Sequence, residues 1–310
     1  MPLDPTAKAI LDQIAPPGAP PLHSLSPQEA REAFRALRAL QPSTPVEVES
    51  HDRTIPGPGG SIPVRLYRPD RSGRLPALVY FHGGGWVIGD LESHDNVCRA
   101  LSKGARCLVV SVDYRLAPEN PFPAAVDDAF AATKWVHANA AEIGADPERL
   151  AVGGDSAGGN LAAVVALRAR DEGGPPLRFQ LLVYPVTDSR FDWPSYRENG
   201  EGYLLTLDAM RWFWSLYVPD EKQRTHPFVA PLRAPDHRNL PPAHVITAEF
   251  DPLRDEGEAY AEKLRAAGVP ATVHRFAGMF HGFFSMDAVL PAAREAIAEA
   301  ARALEKAWSP

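Results

Sequence analysis

From residue 76 to its end the chain alternates solid apolar runs with longer amphipathic stretches, and that rhythm leaves few folds open. PALVYF (76–81), CLVVSV (107–112), LAVG (150–153), FQLLVY (179–184) and AHVITA (243–248) lack the apolar–polar alternation of a half-exposed strand and read as strands buried on both faces. Between and after them, 94–103, 124–140, 157–170, 254–267 and 289–307 read as helices. Strand and helix in turn predict an α/β architecture, a mostly parallel sheet with helices on both faces. Ligands of such sheets bind beyond the carboxyl ends of the strands, so chemistry is sought there.

Upstream, VEVES (46–50) and IPVRLYRP (62–69) flank a Gly and Pro turn and suggest an antiparallel pair opening the sheet. Residues 4–14 and 26–40 read as amphipathic helices separated by APPGAPP. In the second, Ser26 is the expected N-cap, with Pro27 at the first helical position and Glu29 closing a capping box. Its face of Ala30, Phe34, Leu37 and Leu40 suits a lid over an apolar pocket. The rhythm breaks at about 186–228, where Phe191, Trp193, Tyr196, Tyr203, Trp212, Phe213, Trp214 and Tyr217 crowd together. The expected organisation is therefore N-terminal cap helices over 1–45 and a catalytic domain over 46–310 that carries a cap insertion.

With 310 residues, 45% of them hydrophobic, the chain can bury a core without disulfides or metals. A net charge of −7 provides no cationic field for a phosphate backbone, which argues against nucleic acid. There is no charged-then-apolar leader and no unbroken apolar run of about 18 residues, so the expectation is a cytoplasmic protein without stable membrane insertion. Cys98 and Cys107 lack metal or redox spacing and read as buried thiols. The excess of arginine over lysine and the 32 prolines suggest heat adaptation as a hypothesis.

Residues 154–158 read GDSAG, directly after a strand and directly before the helix that begins NLAAVVAL. A sharp strand-to-helix turn would strain the central residue and push Ser156 above the sheet, with glycines on either side removing Cβ atoms that would collide. The plain alternative, a tight turn that happens to hold a serine, is weakened by that flanking context. HGGGW (82–86) follows the strand PALVYF, and three glycines let backbone N–H groups converge on one point. Such donors stabilise the anionic oxygen that forms when an ester carbonyl is attacked. Gly84 and Gly85 are the leading candidates, Gly83 is possible, and Ala157 after the nucleophile supplies a further N–H. A phosphate-binding role for the glycines is disfavoured by the lack of G-x-x-x-x-G-K-[ST] and of G-x-G-x-x-G with its acidic partner.

An activated serine needs an imidazole, and the imidazole a carboxylate, in the chain order Ser, Asp, His. Asp251 lies just past HVITAEF; His281 lies in the loop FAGMFHGF after ATVHRF. Asp255 competes but suits a helix start, and Glu249 is still in the strand. Of ten histidines, His82 is expected to anchor the glycine loop, His274 sits inside a strand, and His94, His137, His226, His237 and His244 lack a late strand-end loop.

Together HGGGW, YRLAPE (114–119), GDSAGG, DPLRD and HGF resemble the hormone-sensitive-lipase family of bacterial carboxylesterases, of the α/β-hydrolase fold, over most of the chain. The N-terminal helices, GDSAGGNLAA and EGYLLT resemble its small thermophilic esterases. The resemblance implies a Ser156, Asp251 and His281 triad, an oxyanion hole from Gly84, Gly85 and Ala157, a two-part cap and short to medium acyl chains. It also implies no cofactor; the expected partner is a small-molecule ester, and the chain is expected to act as a monomer or homodimer. Rivals at this stage are amide or lactone hydrolysis, a non-catalytic small-molecule receptor, and an interaction protein using Trp212, Phe213 and Trp214.

Overall fold

One sheet organises the molecule, in the strand order β1-β2-β4-β3-β5-β6-β7-β8. The strands are β1 (Glu49–Gly57), β2 (Gly60–Arg68), β3 (Leu75–Phe81), β4 (Leu108–Val112), β5 (Ala145–Asp155), β6 (Phe179–Val183), β7 (Ala243–Phe250) and β8 (Ala271–Phe280). β1 pairs with β2, and β2 with β4, antiparallel; every later pairing is parallel. The structure is a computed structural model that describes residues 2–16, 18 and 20–309. Two positions of APPGAPP, Pro17 and Ala19, thus lie outside the described residues, as do Met1 and Pro310.

The helices are α1 (Pro5–Ile14), α2 (Pro27–Leu40), α3 (Asp95–Ala105), α4 (Ala124–Ala138), α5 (Ala140–Ile143), α6 (Ala157–Asp171), α7 (Pro194–Asn199), α8 (Leu207–Tyr217), α9 (Arg254–Ala266) and α10 (Pro291–Trp308). Successive side chains of a strand point to opposite faces, so the solid apolar runs build two cores at once. Ala77, Val79 and Phe81 of β3 join the core shared with α4, α6 and α9, whereas Leu78 and Tyr80 join the one shared with α1, α3 and α10. Fully burying each such large side chain contributes about 1.5–3 kcal/mol, so β3, buried along its whole length, is a pillar of the sheet.

Two expectations need correction. The first strand lies at 49–57, not 46–50, and pairs Ile55 with Ile62 around a turn at 57–60. It is an edge strand with mostly exposed residues, so its sequence carries no strong apolar alternation. The second concerns α2, whose capping box forms as expected: Ser26 Oγ accepts from Glu29 N–H at 3.3 Å and the Glu29 carboxylate accepts from Ser26 N–H at 2.8 Å. Of its apolar face, however, only Ala30 is buried, and Leu40 is 84% exposed. Phe34 is partly buried and packs against the core, and arginine side chains complete the docking of the helix.

The break in rhythm is a real excursion, and Asn160 of α6 holds its neck. The Asn160 amide donates to the carbonyls of Val186 and Val229, both at 2.9 Å. Within the excursion, α8 seats Phe213 where Gly85 has no side chain, and a Cβ on Gly85 would run into that ring. Trp214 meets Trp86 edge-on at 5.3 Å, and both indoles are buried. Phe213 and Trp214 therefore pack against the glycine loop, whereas Tyr203 packs on Phe250 and Phe191 on Tyr196.

Candidate active site

Ser156 occupies the turn between β5 and α6 with φ 57° and ψ −118°, outside the regions that a serine favours. Such strain costs on the order of 1–3 kcal/mol and persists only where neighbours fix it. Here Ser156 N–H donates to Val183 O at 2.9 Å, and its carbonyl accepts from Asn160 N–H at 3.0 Å and Val186 N–H at 3.2 Å. The turn also needs bare backbone beside it: a Cβ on Gly154 or Gly158 would collide with the Phe81 carbonyl. The result projects the hydroxyl at the carboxyl end of the sheet, beside the N-terminus of α6, whose free N–H groups favour negative charge.

β7 ends just before Asp251, and β8 continues through FAGMF to Phe280, so His281 is the first residue beyond it. Their adjacent, parallel pairing brings together side chains 30 residues apart in sequence. His281 Nδ1 lies 2.7 Å from Asp251 Oδ2, and its Nε2 lies 3.0 Å from Ser156 Oγ. Asp251 is fully buried, and its Oδ1 accepts from Leu253 N–H at 2.8 Å, which fixes the carboxylate. Ser156 and His281 are largely buried, at 7% and 9% exposed. Asp255, the competing acid, sits in the first turn of α9 and accepts from Ser195 N–H at 2.8 Å.

The three loop glycines differ. Gly83 N–H is 3.2 Å from both Asp155 Oδ1 and His94 Nε2, so it is engaged within the protein and is not free for a ligand oxygen. Among the described residues, the N–H groups of Gly84, Gly85 and Ala157 have no acceptor. Gly84 adopts φ 119° with the Ile88 carbonyl against the place of its missing Cβ, so only glycine fits this bend.

Beneath the loop lies a buried polar cluster that the sequence reading did not single out. Asp155, the variable residue of GDSAG, accepts from Tyr80 Oη at 2.8 Å and faces His94 Nε2 at 3.3 Å. Burial alone would raise its pKa, but His94, the Tyr80 hydroxyl and His82 outweigh it and hold the carboxyl at about 2. His82 donates from Nδ1 to Gly83 O at 2.8 Å and stacks on Tyr114, whose hydroxyl donates to the His82 carbonyl. Burial, then the nearby His94, lower the His82 pKa to about 4, so it anchors the loop as a neutral ring. Tyr184 was also missed; its ring centroid lies 4.5 Å from that of His281 and walls the imidazole. The only available signal for Asp155 was its place inside the pentapeptide.

The sheet, the strained elbow and the hydrogen-bonded Ser, His and Asp define the class: a serine hydrolase built on a mostly parallel α/β sheet. An α/β-hydrolase-fold family profile matches residues 78–285, and the chain belongs to that family, with the hormone-sensitive-lipase-type resemblance borne out. It is 45% identical to the carboxylesterase NlhH of Mycobacterium tuberculosis, over 98% of this chain and 96% of that one. It is 39% identical to an ethyl acetate hydrolase of Pseudomonas putida, over 92% of each. A thermostable esterase from Pseudomonas putida superposes with a TM-score of 0.96 at 43% identity, covering 100% of this chain and 98% of that one.

Proposed function

We propose that this chain is a carboxylesterase acting on small esters of short to medium acyl chain, with Ser156 as nucleophile, His281 as base and acid, and Asp251 as the group that orients His281. The observation that carries this is the unbroken hydrogen-bond chain from Ser156 Oγ through His281 to buried Asp251. Ser156 Oγ attacks the ester carbonyl as His281 Nε2 takes its proton. The carbonyl oxygen becomes anionic and accepts from the unengaged N–H groups of Gly84, Gly85 and Ala157, each such donor contributing a factor of about 10² to 10³. His281 then protonates the departing alcohol, leaving the acyl group on Ser156. Water, deprotonated by the same imidazole, releases the acid and restores the serine. Relatives named for carboxylic ester and ethyl acetate hydrolysis support this substrate class.

In the same reading, the N-terminal helices of residues 1–45 and the excursion at about 186–228, which holds α7 and α8, form a cap over the carboxyl ends of the strands. The packing of Phe213 and Trp214 on the glycine loop supports it. A cytoplasmic location belongs to the proposal as well, supported by Cys98 and Cys107 being free and buried, as a reducing compartment keeps thiols. No helix among the described residues is long and apolar enough to cross a membrane. Heat adaptation is supported by the ion-pair network in which Arg65 joins Asp52, Glu92 and Asp95, a device most effective at high temperature.

The deciding experiment is a series of 4-nitrophenyl esters of increasing acyl length, run beside a Ser156→Ala control. Fast turnover of the shorter chains, abolished in the control, is expected. Turnover that survives the substitution overturns the assignment, and a preference for long insoluble chains replaces esterase by lipase.

A further inference from the structure

Three arginines of α2, at 31, 35 and 38, fall on one helical face and reach the segment that runs on from the glycine loop. Arg31 Nε donates to Val87 O at 2.8 Å, Arg35 Nε to Asp90 Oδ2 at 2.7 Å, and Arg38 Nε to Ser93 O at 2.9 Å. Arg38 differs from the others in what it holds. Its second nitrogen also donates to Ser93 O, at 2.6 Å, and its third to Ser285 Oγ at 2.6 Å and Gln41 Oε1 at 2.6 Å. Arg31 and Arg35 each pair with a carboxylate, whereas Arg38 makes no ion pair among the described residues. A part-buried guanidinium bonded to neutral oxygens alone retains much of its desolvation cost, so tight packing of the chain is a poor explanation for keeping it there.

Two of the residues that Arg38 holds, Ser93 by its carbonyl and Ser285 by its hydroxyl, lead to the reacting groups. On one side Ser93 Oγ is 2.9 Å from His94 Nδ1, and His94 Nε2 is 3.2 Å from Gly83 N–H and 3.3 Å from Asp155, the neighbour of Ser156. On the other, Ser285 Oγ donates to Gly282 O at 3.1 Å, and Gly282 follows His281. Asn96 reinforces that arm, donating to Ser285 O at 3.1 Å.

We propose that Arg38 is a positioning residue that ties the loop of the oxyanion donors and the turn carrying His281 to one rigid helix, so that both halves of the reaction centre keep a common register. The inference rests on the esterase reading above. Arg38 touches no reacting atom; a displacement of either arm lengthens the path between imidazole, hydroxyl and N–H donors, and small misplacements of that kind slow chemistry more than binding.

The test uses the full chain with Arg38→Met, Arg38→Lys and Ser285→Ala, a short-chain 4-nitrophenyl ester, and a phosphonate titration that counts competent sites. Arg38→Met is expected to lower kcat per competent site by about ten- to a hundredfold with KM within about threefold. Ser285→Ala, which cuts one arm, lowers kcat by about threefold or more, and in the double variant the losses fail to multiply. A kcat per site within twofold of the unaltered chain in Arg38→Met overturns the proposal, as does a loss explained wholly by fewer competent sites. Should Arg38→Met not fold, Arg38→Lys and Ser285→Ala decide by the same criterion. An unaltered chain that does not turn over the ester overturns both readings; an active one with unaffected variants overturns this one alone.

Discussion

The indole of Trp86 lies flat on the ring of Tyr217, with centroids 4.2 Å apart and planes 10° from parallel. Trp86 ends the glycine loop, and Tyr217 ends α8, so this stack joins the excursion to the strip of backbone that carries the N–H donors. The Tyr217 hydroxyl is buried without a partner among the described residues, so the ring and not the phenol is what the contact uses. Tyr217→Phe is therefore expected to change stability by less than about 1 kcal/mol, and Tyr217→Ala to cost about 3–5 kcal/mol and raise KM. Denaturant midpoints and Michaelis constants of the pair check this; equal costs for both substitutions would reject it.

Ser156→Ala removes only an oxygen from a fixed elbow. Its kcat is expected to drop by roughly 10⁶-fold, about 8 kcal/mol of barrier, with the thermal midpoint held or raised. Retention of a hundredth of the activity contradicts the role given to the serine.

Asp251→Asn keeps the shape but turns an acceptor that fixes the Nδ1–H tautomer into a group that can donate. A loss of about 10⁴ in kcat is expected, since the imidazole can then present a proton instead of a lone pair to Ser156. Steady-state kinetics near neutral pH tests it, and a loss below tenfold would assign the carboxylate a merely structural part.

Asp113 offers a test by pH. Burial, then the neighbouring Asp90 carboxylate, push its pKa from 3.8 up to about 6 against the pull of Arg35. A carboxyl raised in this way binds its proton more tightly when folded, so its contribution is complete below pH 3.8 and is lost as pH rises through about 6. Asp113→Asn should match the unaltered protein at pH 3.5 and exceed it at pH 8 by about 1–2 kcal/mol, a few degrees of midpoint, after discounting for partial solvent contact. Thermal melts at the two pH values decide; a difference independent of pH counts against the burial argument.

Much of this was legible beforehand because its causes are local. The capping box at Ser26 and Glu29 needs only residues three apart, and the buried strands announce themselves by lacking polar positions. The elbow was readable because GDSAG stands between a strand and a helix, a context that a few neighbouring residues supply. Where the cause is distant, the reading failed or stayed open. The first strand lies later than its local sequence suggests because an edge strand's register is fixed by its partner, through pairs such as Ile55 with Ile62. The exposure of Leu40 and the arginine contacts of α2 are not legible locally, because its docking also depends on carbonyls about 55 residues away.

The linear sequence by itself determined the period of burial, hence the α/β sheet, and the order and strand-end positions of Ser156, Asp251 and His281. Only the folded chain decided which glycine N–H groups remain free, since Gly83 is claimed by Asp155 and His94 from other segments. The physical reason is that periodicity and chirality act along the chain, whereas the direction of a hydrogen bond is fixed by whichever acceptor packing brings opposite it.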